Sequence, residues 1–201
     1  SDAEASNLVL NGGSLRYVGD GDSTNRAFTL GTAGGGLDAS GTGAVHFTNT
    51  DAITLVGTDT ARTLTLAGTS SADNTLAALI EDNGAGATSL TKTEAGTWVL
   101  TNQESTYTGV TTISGGVLAV DKLADGGEVS SIGASSGDAA NLVIGNNSTL
   151  RYTGSGDTTD RLFTLETGVT FIESSGTGAI VFENTAAGTL SGSGARTAGL
   201  G

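Results

Sequence analysis

NLVLNGGSLRYVGDGDSTNRAFTLGTAGGGLDASGTGAVHFTNT, at Asn7–Thr50, returns as NLVIGNNSTLRYTGSGDTTDRLFTLETGVTFIESSGTGAIVFENT at Asn141–Thr185. More than half of the aligned positions are identical once a single extra residue is allowed near Thr149. Leu15 then answers Leu150, and the match runs on until Arg196 in GSGART answers Arg62 in GTDTART. The 201 residues therefore read as one segment, 1–201, holding a unit of roughly 135 residues. Copy one spans 6–139, and 140–201 is a partial copy two. A long fixed period favours a fold in which each coil touches only its neighbours along one axis.

Between the matched phrases, apolar residues fall in short bursts: Leu8/Leu10, Leu15/Tyr17, Phe28/Leu30, Val45/Phe47, Leu64/Leu66, Trp98/Leu100, Leu118/Val120. A spacing of two is the period of a strand with one face buried, and not of a helix. Clusters of Gly, Asn, Asp, Ser and Thr separate the bursts and supply the turns. Only Thr75–Asp82, TLAALIED, competes as a helix. It is barely two turns long and Asn83-Gly84 ends it, so a strand is expected there as well. The fold class is thus all-β, a parallel β-helix or β-solenoid. With 20 to 27 residues per coil the chain makes about eight coils, with Asn, Thr and Ser ladders at the corners.

Composition narrows the function. There are 33 Gly but no Pro, Cys or Met, so neither a disulfide nor a thiolate metal site nor a cysteine nucleophile is available. Eight Lys and Arg against 21 Asp and Glu give a net charge of −13, which makes nucleic acid and anionic lipid repulsive partners. No apolar run approaches the length that spans a bilayer, so no membrane insertion is expected of this segment. The chain opens without Met or a leader pattern, and reads as a piece of a longer polypeptide.

Gly96–Val120 reads GTWVLTNQESTYTGVTTISGGVLAV. Its skeleton is Gly96, Thr97 and Leu100, then Thr106 to Gly109, then Thr111 to Ile113, Gly116, Leu118 and Val120. This resembles the autotransporter-associated β-strand repeat, also called the passenger-associated transport repeat. NQES departs from the usual Gly/Ala-Asn wording at its place. The resemblance implies a right-handed parallel β-helix in the passenger of a type V secreted protein, or in a long surface protein of a Gram-negative-type bacterium. It also implies folding coupled to export, for which coil-by-coil pairing is physically suited.

The duplication tests candidate sites, because a residue required in every unit survives in both copies. Arg16, Arg26 and Arg62 answer Arg151, Arg161 and Arg196, and Asp22 and Asp157 stand four residues before Arg26 and Arg161. These make structural pairs, Asp22 with Arg26 and Asp157 with Arg161, or ties from arginine to carbonyls; the alternative is a site for an acidic sugar. GDGDSTN at Gly19–Asn25 suggests a calcium loop, but its twin GSGDTTD exchanges carboxylates, and a solvated turn is expected instead. His46 is answered by Val181, which removes it as a repeated base or metal ligand. Trp98 and Tyr107, with Tyr17 and Tyr152, form either a surface platform for glycan or part of the core. Thr63/Thr65 and Thr91/Thr93 do not recur at a constant coil spacing.

No catalytic set, cofactor site or metal site emerges, so the chain reads as a non-enzyme. The expected role is an extracellular spacer or fibre segment that associates end to end through open coils. The alternative is an adhesin module for glycan or a neighbouring cell surface.

Overall fold

The computed structural model describes residues 3–201. All paired strands run parallel, and two sheets of eight strands extend along the whole molecule. One starts at Ser14–Tyr17 and passes through Gly35–Ala39, Arg62–Ala67, Thr88–Lys92, Thr111–Ile113, Leu142–Ile144 and Thr164–Leu165 to Thr189–Leu190. The other starts at Asp22–Thr24 and ends at Arg196–Leu200. Each coil gives one strand to each sheet, which makes a β-solenoid of eight coils. A third side carries Val9–Leu10, Thr29–Leu30 and Thr54–Leu55 in the first coils, and Ser155–Thr159 with Gly178–Phe182 in the last.

Inward side chains stack in register. One ladder runs Leu15, Leu37, Leu66, Lys92, Ile113, Ile144, Leu165, Leu190. Another runs Phe47, Leu76, Leu100, Val120, Tyr152. Leu30, Leu64, Leu66, Leu90, Ile113 and Leu118 are fully enclosed, which is the source of the apolar driving force along the axis. Thr75–Asp82 contains strand Asn74–Leu76 and a single bridge from Leu79 to Ala52, and no helix. Coils are less uniform than 20 to 27 residues: Leu37 to Leu66 and Ile113 to Ile144 are longer, and the second accommodates the excursion 121–137.

The structure makes two further expectations specific. Corner Asn side chains bond to the backbone of the neighbouring coil. Asn49, Asn102 and Asn184 each donate to a carbonyl of the preceding coil (Asn25, Ala77 and Asp160) and accept from the N–H two residues ahead. The backbone offers both donor and acceptor at the corner, so the amide bonds there and not to another amide. The Thr pairs do not recur at a constant spacing, as expected, and Thr63 faces Ser89; single members nonetheless align, Thr65 with Thr91 and Thr112, bounded by Gly36 and Val143. Unequal coil lengths conceal that alignment in the sequence.

Tight coil contacts explain particular glycines. Gly116 has φ +66°, and a Cβ there would meet the Gly96 carbonyl at 2.3 Å. Both belong to the Gly96–Val120 skeleton, whose glycines thus mark backbone passing over backbone.

The duplicated unit does not close on a whole number of coils. Ser14–Tyr17 lies in the first long sheet, whereas its twin Ser148–Tyr152 lies in the second; Gly35–Ala39 and Gly168–Ser174 are displaced in the same way. Val9–Leu10 belongs to the short third side, and its twin Leu142–Ile144 to the first long sheet. Each twin therefore sits one side further round the axis.

Candidate functional site

Two of the three pairs of retained arginines keep their side-chain bonds although they change sides. Arg16 Nε lies 3.4 Å from Asp38 Oδ2, and Arg151 Nε lies 3.1 Å from Glu173 Oε2, with Asp38 and Glu173 themselves twins on the following coil. Arg62 donates to the carbonyls of Leu30 (3.1 Å), Val56 (2.7 Å) and Gly57 (2.6 Å) and to Thr60 O. Arg196 does likewise to Leu165, Ser191, Gly192 and Gly194, and Leu165 is the twin of Leu30. A planar fork with five donors suits a loop whose carbonyls converge on one point.

Arg161 is the most enclosed of the six, at 2% exposure. Nε donates to Ala124 O at 2.9 Å, one terminal nitrogen to Ser135 O and Oγ at 3.0 Å, and the other to Gly133 O at 2.9 Å and Asp125 O at 3.3 Å. Burial pulls its pKa down, opposed by the nearby charges that include Asp160 and Asp125. Asp157 is not its partner: Asp157 Oδ2 accepts from Leu123 N at 2.9 Å. Spacing by four suggests a pair, but on a strand the two side chains go to different neighbours. In copy one, Asp22 Oδ1 accepts from Ser23 N, and the exposed Arg26 keeps the backbone bond to Thr24 Oγ1 that Arg161 makes to Thr159 Oγ1, both 3.2 Å.

The Gly-Asp turns are organised by tyrosine. Tyr17 OH accepts from Gly21 N and Tyr152 OH from Gly156 N, each at 2.9 Å. Among the described residues no group of three His, Cys, Asp or Glu side chains is placed to hold a metal. Trp98 and Tyr107 are in the core, at 1% and 0% exposure, so neither serves as a surface platform. Trp98 stacks on Phe47 and its indole N–H donates to Ala67 O at 2.8 Å. Tyr107 OH lies 2.8 Å from Thr111 Oγ1. Strand parity turns Trp98 inward, and Tyr107 is enclosed in the connection between Thr97–Leu100 and Thr111–Ile113; each polar tip reaches one partner. His46 is half-buried, with Nδ1 3.0 Å from Thr75 Oγ1.

Two buried polar residues escape a reading by composition. Lys92 stands in the aliphatic ladder between Leu66 and Ile113, and its ammonium donates to the carbonyls of Thr93 (2.7 Å), Glu94 (2.9 Å) and Gly115 (3.0 Å). Burial lowers its pKa to about 8, against the attraction of Glu94. Asn74 is fully buried; its amide donates to Thr97 O at 2.8 Å and Ala72 O at 3.0 Å, and accepts from Val45 N at 3.0 Å, so it clasps three coils. The available signal for Lys92 is that Leu90-x-Lys92 repeats the phase of Leu64-x-Leu66.

An open polar groove lies beside the excursion 121–137, lined by Gln103, Asp121, Lys122, Thr153, Asp157 and Thr177. Gln103 Nε2 and Ser131 Oγ both donate to the Asp121 carboxylate, at 3.0 and 2.9 Å, and Lys122 Nζ is 3.4 Å from Glu104 Oε1. The groove offers hydroxyls, an amide and carboxylates for hydrogen bonding.

The family model of the passenger-associated-transport-repeat matches residues 90–120. The chain is 63% identical, over 186 residues, to the protein named adhesin BmaC autotransporter from Brucella suis biovar 1 (strain 1330). That match covers 92% of this chain and 5% of the relative, so the chain spans a small part of the relative's length. No solved structure matches.

Proposed function

We propose that this chain, an autotransporter passenger repeat segment, is a stiff spacer outside a Gram-negative bacterium, where it holds adhesive parts of its parent polypeptide away from the cell. Support comes from one observation above all: five of the six arginines that the duplication retains, Arg16, Arg62, Arg151, Arg161 and Arg196, are bound to carbonyls or acids of the stack itself. Length accumulates by stacking of coil on coil along one axis, and the net charge of −13 discourages lateral association of such rods.

The test is made on the bacterial surface, in the parent autotransporter. Excising the segment reduces adhesion to host cells, and inserting an unrelated β-solenoid of equal length restores it. Restoration only by the native sequence overturns the spacer reading. It would favour recognition at the groove of Gln103, Asp121 and Lys122, a reading that the word adhesin in the relative's name supports. In that case the purified chain binds a glycan array, and Gln103→Ala with Lys122→Ala abolishes the signal.

A further inference from the structure

Asn-Gly occurs twice in the chain, at Asn11-Gly12 and Asn83-Gly84, and the two glycine nitrogens are in opposite states. At the first pair Gly12 N donates to Gly34 O at 2.7 Å and Asn11 Oδ1 accepts from Ala33 N at 2.9 Å, so both groups are committed to the next coil. At the second the chain reverses in two residues, closed by a bridge between Asn83 and Gly86. Gly84 takes the first central position of that turn with φ +72°, a conformation that glycine adopts without strain. Its N–H has no hydrogen-bond partner among the described residues, and Gly84 is exposed to water. Asn83 is half-buried, with its carboxamide one residue before that unoccupied nitrogen.

We infer that Asn83 is a site of spontaneous deamidation, and that the modified residue loosens the junction between its turn and the loop 55–62 of the preceding coil. Gly84 N gives up its proton and bonds to Asn83 Cγ, while the Cγ–Nδ2 bond breaks and ammonia leaves. Water then opens the five-membered imide at either carbonyl. One water enters, one ammonia departs, nothing is oxidised or reduced, and residue 83 ends as aspartate or isoaspartate. The consequence follows from what the amide holds. Asn83 Nδ2 donates to Leu55 O at 3.3 Å and to Gly57 O at 3.2 Å. Gly57 O also accepts from Arg62 Nη2 at 2.6 Å, within the carbonyl cluster of that retained arginine. A carboxylate only accepts, so it faces two carbonyl oxygens with no donor between them. Asp59 belongs to the same junction: its Oδ1 accepts from Ala85 N at 2.6 Å and crowds the place that a Gly84 Cβ would take. The new charge therefore arises beside an existing one, where the third side has no strand among the described residues to hold the coils together.

The test stores the folded 201-residue chain at neutral and at mildly alkaline pH and follows Asn83 and Asn11 by peptide mass spectrometry, with isoaspartyl methyltransferase labelling to tell the two products apart. Asn83 is expected to convert severalfold faster than Asn11, and faster as the pH rises, because the attacking nitrogen must lose its proton. Equal conversion at the two positions, or conversion of Asn83 only after unfolding in urea, overturns the site. The state after modification is reproduced by Asn83→Asp, with Asn83→Gln keeping an amide at the same place. Hydrogen exchange at Asp59 N, which donates to Asn83 O at 2.8 Å, is expected to quicken severalfold in Asn83→Asp and much less in Asn83→Gln. Exchange in Asn83→Asp that matches the unmodified chain overturns the loosening and leaves the modification standing.

Discussion

The outer coils and the middle coils solve the same packing problem differently. In the outer coils, around Val9–Leu55 and Leu142–Leu190, three strands enclose the core and the backbone is satisfied almost wholly by parallel ladders. Between Leu55 and Ser155 the third side has no strand among the described residues, only single bridges such as Ala52 with Leu79 and Ser105 with Ser130. There, buried side chains replace the ladder. Asn74 joins three coils, Ser105 Oγ accepts from Ile80 N, Ser130 Oγ donates to Gly133 O, and Lys92 gathers three carbonyls. The middle, which includes the residues of the transport-repeat match, is thus the more polar part of the core and the part that depends on single residues. An unmade hydrogen bond in such a setting costs more than a made one contributes.

That contrast can be broken in two directions. The largest effect is expected in an outer coil: Leu30→Asp places a charge in a fully enclosed aliphatic position and costs about 4 kcal/mol or more, seen as unfolding of adjacent coils by circular dichroism and urea titration. A mild response would show that outer coils relax around a charge. In the middle, Asn74→Leu raises hydrophobicity yet is expected to destabilise by about 2 to 4 kcal/mol, because Val45 N, Thr97 O and Ala72 O lose their partner. Asn102→Leu, at a half-buried corner, should cost less in the same urea titration. A stabilised Asn74→Leu would remove the distinction between the two regions.

Much of this architecture was legible in advance, and the reasons are specific. The period of two in Leu64/Leu66 or Leu118/Val120 gives strands, and the return of Asn7–Thr50 at Asn141 gives the stacking axis. Bonds local to a pair of neighbouring coils also survive duplication, which is why Arg62 and Arg196 bind Leu30 and Leu165 alike. What could not be read is anything set by coil length. The displacement of each twin by one side depends on how many residues separate strands across 67–141. The register of Thr65 with Thr91 has the same origin. The Asp157–Arg161 pair failed for a different reason: spacing identifies neighbours along a strand, whereas the partners of Arg161 come from Ala124 to Ser135, far away in sequence. Trp98 fell inside because parity, and not aromatic character, decides the direction of a strand side chain, whereas Tyr107 is enclosed in a connection between strands.

Lys92 supplies the finest probe of the middle coils, and its sign can be worked out. The folded pKa is about 8 and the ordinary value 10.5, with burial as the main cause. Below pH 8 both the folded and unfolded chains carry the proton, so the fold bears the full cost of a buried ammonium. Between pH 8 and 10.5 the unfolded chain binds a proton that the folded chain has released, and stability rises with pH by at most about 1.4 kcal/mol per unit. Tyr107 acts in the opposite sense: burial raises its pKa above the ordinary 10.0, so the unfolded chain ionises first and stability falls above pH 10. The urea midpoint should therefore climb from pH 8 towards pH 10 and then decline. Lys92→Met is expected to abolish the climb and leave the decline, whereas Tyr107→Phe should weaken the decline and leave the climb. A climb that persists in Lys92→Met would assign the proton to another group and leave the middle ladder with an ordinary, solvated lysine.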